Sequence, residues 1–392
     1  MAEEKKFSIK KIYHIAAWNR NIGDWTACYN LHRSLENRLK KDFIFPTFYL
    51  IDSQRTLFHS TLIKEINKEA DLILIGPGGM IFNRPQDESQ SGWAFNISTT
   101  DLKKIKVPIV VHGIGYNKFY FDKNEWPKYM KDHLSQLQKQ ASLFSVRNEG
   151  SKSKLNSEFG LKKTKIEVVP DCGIYLFDKK IDIPKIDKNK IIIGLNWAGD
   201  RPEERFKHPW KSNRNKYINA LRNTLIKFCK KNNAQILYIP HLTDMDVSFY
   251  SEISKGFPNQ MIYNLYELMP YIYVPAGEYL YNHISYFTNI YRQLTITIGM
   301  RGHACIFSAG ANVPFIPLGS HNKLQYFIND LEIENISIRM IDNDDFDEKK
   351  LYNKILKVSQ NTKKTKKLLK KSVTEKIKII DNYNSKIAKL FD

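Results

Sequence analysis

An arginine and a histidine stand two residues apart, Arg301-Gly302-His303, just beyond the apolar run Leu294-Thr295-Ile296-Thr297-Ile298-Gly299. This pair can hold an anion and move a proton, because arginine is always charged and histidine has an ordinary pKa of ~6.5. A short β-rich run ending in glycine, followed by Ala304-Cys305-Ile306-Phe307-Ser308-Ala309, predicts a strand, a turn and a helix. In an open α/β sheet, such a strand end faces the ligand crevice. The same triplet equally fits an arginine on a helix carbonyl and a histidine filling a core gap.

The elements that would position these groups alternate apolar runs with amphipathic segments, as β-α-β units do. Residues 11–15, 43–50, 71–75, 107–111 and 143–146 predict strands, and 26–40 a helix. The polar, proline-containing stretch 178–190 reads as a linker. A second series follows, with strands at 191–197, 235–239 and 294–298 and a helix over 217–232. Near-continuous apolar strands between helices imply parallel sheets covered on both faces. The expectation is an α/β protein whose two Rossmann-like domains, 1–180 and 188–346, face a cleft in a GT-B-like arrangement. Residues 347–392 contain no Gly or Pro and predict a lysine-rich helical segment. The stretch 256–286, rich in Tyr, fits no element.

Several short motifs punctuate this framework in order. They are Asn21-Ile22-Gly23-Asp24, Gly76-Pro77-Gly78-Gly79, His112-Gly113-Ile114-Gly115, Val146-Arg147-Asn148-Glu149-Gly150-Ser151 and Val169-Pro170-Asp171. After Arg301-Gly302-His303 come Val313-Pro314-Phe315-Ile316-Pro317 and Lys323. From about residue 12 to residue 327 this series resembles the polysaccharide pyruvyl transferase family, with its N-x-G-D, V-R-D-x-x-S, P-D and R-x-H…G-x-P…K motifs. Three positions depart from the family pattern: Pro77 interrupts the glycine cluster, Asn148 replaces an aspartate, and Gly302 replaces a larger apolar residue. Glycine at 302 is expected to loosen the backbone between the two reactive side chains.

The resemblance implies transfer of a pyruvyl group from phosphoenolpyruvate onto two hydroxyls of a sugar in a surface or exopolysaccharide precursor, as a ketal. Arg147, Arg301 and Lys323 would meet the donor's carboxylate and phosphate, and His303 would be the acid. Asp24 is either a base for the acceptor or a helix amino cap, and Asp171 either joins the site or anchors a turn. Gly78 and Gly79 would let backbone amides approach a phosphate or a sugar. Trp93, Trp197 and Tyr116 either stack on a sugar or fill the core. The competing reading is a GT-B-type glycosyltransferase with a nucleotide-sugar donor, since a fold does not fix a function. No cofactor or metal is expected: the ten histidines show no HxxxH or HxH pairing, and Asp244 and Asp246 have no further ligand candidates nearby.

Composition bounds the rest. A chain of 392 residues is long enough for two domains, and 42% hydrophobic and 12% aromatic content excludes a mainly disordered chain. Cys28, Cys172, Cys229 and Cys305 lack metal-like spacing and fit free thiols in a reducing compartment. The absence of a long apolar stretch or a secretion signal leads to a cytoplasmic expectation. A net charge of +20 draws anions. Nucleic acid is disfavoured because no recognition motif is present and the lysines concentrate in the tail. Lys363, Lys364, Lys366, Lys367, Lys370 and Lys371 would rest on a membrane carrying a lipid-linked acceptor, or form the solvated face of a helix packed on the first domain.

Overall fold

The computed structural model describes residues 8–391, apart from 19–20, 85–86, 177–180, 243, 274–278, 334–337 and 340–346. The expected boundaries at 180 and 346 lie outside the described residues. The first sheet contains β1 (Ser8–Ala16), β2 (Ile44–Asp52), β3 (Leu72–Ile75), β4 (Gly78–Ile81), β5 (Ile109–Tyr116), β6 (Leu143–Val146) and β7 (Glu167–Val168). Its order is β2-β1-β3-β5-β6-β7, with β4 also paired to β5. The second sheet contains β8 (Ile191–Asn196), β9 (Ala234–Tyr238), β10 (Ile262–Asn264), β11 (Ile296–Gly299), β12 (Phe315–Gly319) and β13 (Ile338–Arg339), in the order β10-β9-β8-β11-β12-β13. Every pairing is parallel, and β3, β5, β9, β11 and β12 are buried throughout. Such burial along whole strands, rather than at alternate residues, marks sheets covered on both faces.

Differences from the sequence expectation sit mainly at strand ends. The strand expected at 107–111 continues to Tyr116 through His112, Gly113 and Gly115, and the glycine cluster at 78–79 opens a strand. Within the unassigned stretch 256–286 lies the short strand β10.

The helices that matter for the cleft are α1 (Ile22–Leu39), α2 (Glu149–Phe159), α3 (Trp210–Asn232), α4 (Gly302–Gly310), α5 (Asn322–Leu331), α6 (Glu348–Gln360) and α7 (Thr362–Ala388). The carboxyl-terminal segment is thus two helices, broken at Asn361. One continuous apolar cluster takes Leu31 and Leu35 from α1, Phe307 from α4, and Leu369, Ile380 and Tyr383 from α7. The α7 helix returns to the first domain and is fixed there by polar contacts. Tyr383 Oη donates to Val111 O at 2.8 Å, Asn384 Nδ2 to Ser34 Oγ at 2.8 Å, and Arg38 Nε to Ser385 Oγ at 3.0 Å. Burial of this stripe, rather than helix propensity, holds a lysine-rich helix in place.

Helices α2 and α5 also join the domains. Their closest approach is at Gly150, where a Cβ would fall 2.1 Å from Tyr326 Cγ. The Glu149 amide of α2 donates to Asp330 Oδ2 of α5 at 3.2 Å. Gly150→Ala should therefore force α2 and α5 apart and cost roughly 1–3 kcal/mol, as overpacking does. Combining it with Tyr326→Ala should recover part of that loss. Denaturant unfolding of the two single variants and the double variant measures the coupling, and simple additivity would rule out this contact as the cause.

Candidate active site

The loops at the carboxyl ends of both sheets enclose a cleft of about 220 Å³. The first domain contributes Asp24, Gly79, Asn117, Phe119 and Arg147, and the second contributes Asp200, Arg201, Arg205, Arg301, Gly302, His303, His321 and Lys323. This is the crevice position expected of open parallel sheets.

Arg301 ends the turn after β11 and is heavily engaged. Its Nε donates to Asp246 Oδ2 at 2.6 Å, while Nη2 reaches Asp246 Oδ1 at 2.7 Å and Asp200 Oδ1 at 2.6 Å. Burial opposes the charged guanidinium, but Asp246 and Asp200 outweigh it and hold Arg301 above the usual arginine range. Nη1 has no acceptor among the described residues. Asp246 Oδ2 also accepts from the His241 and Leu242 amides, at 3.1 and 3.0 Å, and Oδ1 from Gly199 N at 3.0 Å. One buried carboxylate thus ties the loops after β8 and β9 to the turn after β11. Asp200 in turn receives Arg205 Nη2 on both oxygens, at 3.0 and 3.1 Å.

His303 lies in the first turn of α4, which starts at Gly302 rather than Ala304. Gly302 is therefore the first residue of a helix and not a loosened link. A Cβ there would sit 3.6 Å from Lys323 Cε, an ordinary contact. The His303 ring stacks on Phe307, with centroids 5.6 Å apart. Its Nδ1 lies 3.5 Å from Asp24 Oδ1, and its Nε2 3.3 Å from Asp171 Oδ2. Asn21 caps α1 by accepting from Gly23 N at 2.9 Å, so Asp24, three residues into the helix, is not its cap. Gly23 is required by packing: a Cβ on it would fall 2.7 Å from His303 Nδ1. The Asn21-Ile22-Gly23-Asp24 motif thus terminates a loop, admits the imidazole and sets a carboxylate beside it. Asp171 both anchors a turn, through Gly173 N at 2.9 Å, and faces the site. Burial would raise its pKa, but His303, Arg147 and that amide hold it well below the usual carboxylate range.

Arg147 follows β6 and crosses Gly115, where any Cβ would fall 2.2 Å from its Nε. Its Nη1 pairs with Asp171 Oδ2 at 3.2 Å, whereas Nη2 is buried without a partner. Asn148 takes over the capping function expected of an aspartate, accepting from Ser151 N at 2.7 Å. Lys323 comes from the other domain, at the start of α5, and its Nζ donates to Asn117 Oδ1 at 3.0 Å. Among the described residues no carboxylate lies within ion-pairing distance of it. Burial first, and then Arg147 and Arg205, pull the Lys323 ammonium well below the usual lysine range.

The structure gathers Asp24, Arg147, Arg301, His303 and Lys323 around one cleft. Gly79 lines it too, while Gly78 lies behind with its Cβ position 3.6 Å from Asp24 Oδ1. Trp93, Trp197 and Tyr116 are buried, and Trp197 stacks on Phe249 within the second domain. A second wall had no signal in the motifs. Phe119 stacks on His321 at 5.1 Å, with the guanidinium of Arg205 4.7 Å from the ring centre and that of Arg201 5.7 Å away. The carboxylate partners of Arg301 carry no motif either: Asp200 stands outside every motif, and Asp246, a metal-ligand candidate by residue type alone, instead holds the guanidinium. No group of three or more potential metal ligands gathers among the described residues.

The sequence matches the polysaccharide pyruvyl transferase family model over residues 5–322. No curated protein sequence matches the chain. Solved structures share its fold at low identity. The S. aureus MnaA–UDP co-structure aligns over 89% of this chain and 87% of that chain, at 13% identity and a TM-score of 0.53. UDP-GlcNAc 2-epimerase from Neisseria meningitidis bound to UDP-GlcNAc covers 93% and 94%, at 10% identity and 0.52. Anabaena HepE in complex with UDP and glucose covers 97% and 99%, at 12% identity and 0.53. These neighbours and the two parallel sheets identify a GT-B-like α/β fold. With the family match spanning most of its length, the chain belongs to the polysaccharide pyruvyl transferase family.

Proposed function

We propose that the cleft transfers a pyruvyl group from phosphoenolpyruvate to two hydroxyls of a saccharide, forming a ketal. The observation that carries this reading is the pair of cations supplied by opposite domains. Among the described residues the buried Arg147 Nη2 lacks a partner and Lys323 lacks a carboxylate, so an anion carrying both carboxylate and phosphate suits the site. The family match supports the reaction class. Thermal shift tests it directly: phosphoenolpyruvate should raise the melting temperature, whereas UDP-sugars, the ligands of a glycosyltransferase, should not.

In this mechanism His303 gives a proton to the methylene carbon of phosphoenolpyruvate, leaving an oxocarbenium-like centre at C2. A sugar hydroxyl attacks C2 and its proton passes to Asp24. Because Asp24 Oδ1 is 3.5 Å from His303 Nδ1, the same proton can restore the imidazolium. The bond between C2 and the phosphate oxygen then breaks, the second hydroxyl adds to C2, and the departing phosphate takes its proton. The products are the ketal and hydrogen phosphate. Arg301 has most of its donors occupied, so its main contribution is to fix the turn that carries His303. The chemistry is carried by these side chains without a metal ion, and chelator should leave activity in place.

Two kinetic outcomes follow from these roles. His303→Ala should lower kcat by roughly 10²–10⁴ with the KM for phosphoenolpyruvate largely unchanged, as expected for a general acid. Full turnover in that variant would remove His303 from the acid role. For Lys323, the depressed pKa means that the free protein loses this charge as pH rises, and donor binding must then take up a proton. Above pH ~7, where a phosphate monoester is already mostly dianionic, the donor KM should increase with pH in the wild type. In Lys323→Arg, whose charge persists, the profile should be flat. A rise of the same size in both proteins would exclude Lys323 as its origin.

A further inference from the structure

We propose that the amino-terminal half of α7 is a docking face for an anionic lipid surface. Lys363, Lys364, Lys366, Lys367, Lys370 and Lys371 are all exposed, and none has an ion-pair partner among the described residues. Six unpaired cations on two and a half turns repel one another. Their position adds to this cost, because α7 begins at Thr362 with no acidic residue in its first turn and no side-chain cap. Cations at the positive end of a helix dipole are destabilising, whereas carboxylates there would help. The opposite stripe, Leu369, Val373 and Ile380, is buried, so the lysine face is held outward by a rigid body.

The chemistry of the face distinguishes between polyanions. Leu368 is 48% exposed on the flank of the lysines, and Ile379 is 38% exposed further along the helix. An exposed aliphatic side chain among lysines suits the headgroup boundary of a bilayer, where the ammonium groups meet lipid phosphates and the apolar chain enters the interface. Single-stranded nucleic acid would call for aromatic rings on which bases stack, and residues 361–372 contain none. The face lies outside the cleft and does not depend on its chemistry.

The test is sedimentation of the full-length protein with phosphatidylcholine vesicles, with and without phosphatidylserine. Binding should require the anionic lipid and weaken as salt shortens the Debye length. Replacing all six lysines by glutamine should reduce binding by at least tenfold, in line with ~1 kcal/mol for each near-surface lysine, while replacing them by arginine should preserve it. Because glutamine relieves the unfavourable dipole interaction, the melting temperature of the glutamine variant should equal or exceed that of the wild type. Equal binding by the wild-type and glutamine proteins, or binding insensitive to salt, would overturn the proposal. So would a lower melting temperature of the glutamine variant, which would make the lysines structural, or tighter binding to a poly(U) probe than to the vesicles. None of these readouts uses pyruvyl transfer, so the lipid contact and the proposed reaction fail separately.

Discussion

The ion pair between Arg301 and Asp246 is the constraint on which the cleft depends. Asp246 is fully buried and the Arg301 side chain is only 9% exposed, and the two hydrogen bonds from Nε and Nη2 fix the guanidinium plane. Removing Arg301 would leave the buried Asp246 carboxylate without its counter-charge, at a cost of about 3–5 kcal/mol. The pair does more than balance charge, because Asp246 also receives the amides of Gly199, His241 and Leu242. The second domain's active face is thereby closed around one carboxylate. The contact continues into the first domain: the Ile22 amide donates to His241 O at 3.1 Å, and Asn21 forms an antiparallel bridge with Leu242. The loop that Asp246 holds is thus the one against which α1 starts, and α1 sets Asp24 beside His303. Inter-domain geometry and acid–base geometry share one origin.

Much of the architecture was legible because buried parallel strands have a simple signature. Residues 71–75, 143–146, 191–197 and 235–239 are predominantly apolar runs, and each lies within a residue or two of an observed strand. Strand ends were harder to read where they carry the site. β5 passes through His112, Gly113 and Gly115, residues that suggest a loop, because Gly115 must make room for Arg147 and Gly113 adopts a left-handed φ of 57°. The sequence pattern fails where function takes a strand residue's side-chain space for a neighbour.

Side-chain partnerships were less legible still. Arg301, His303, Arg147, Lys323 and Asp24 stand in short motifs and could be singled out individually. What each touches depends on segments a hundred residues or more apart, as with Arg301 and Asp200 or Lys323 and Asn117, and no local spacing encodes that. The consequence for roles is substantial. Arg301, the most conspicuous cation in the sequence, spends two of its nitrogens on carboxylates, while Arg147 and Lys323 keep capacity for a ligand. Two departures from the family pattern are similarly explained by contacts: Asn148 caps α2 as an aspartate would, and Gly302 begins α4 beside Lys323.

Formal charges in the deep part of the cleft bear on how it receives an anion. Arg301 and Arg205 are matched by Asp246 and Asp200, and that cluster carries no excess charge. Around His303, Arg147 pairs with Asp171 at 3.2 Å and Asp24 and Asp171 flank the imidazole, while Lys323 has no carboxylate within ion-pairing distance among the described residues. The remaining fixed cation at the cleft wall, Arg201, is paired with Glu204 at 3.3 Å. On the proposed function, a donor bearing a carboxylate and a dianionic phosphate brings a field that favours protonation of the groups it meets. The group most affected is Lys323, whose charge is otherwise suppressed by burial first and then by Arg147 and Arg205. Donor binding would then restore the ammonium that holds the donor, so that this part of the cleft charges only when its anionic ligand is present.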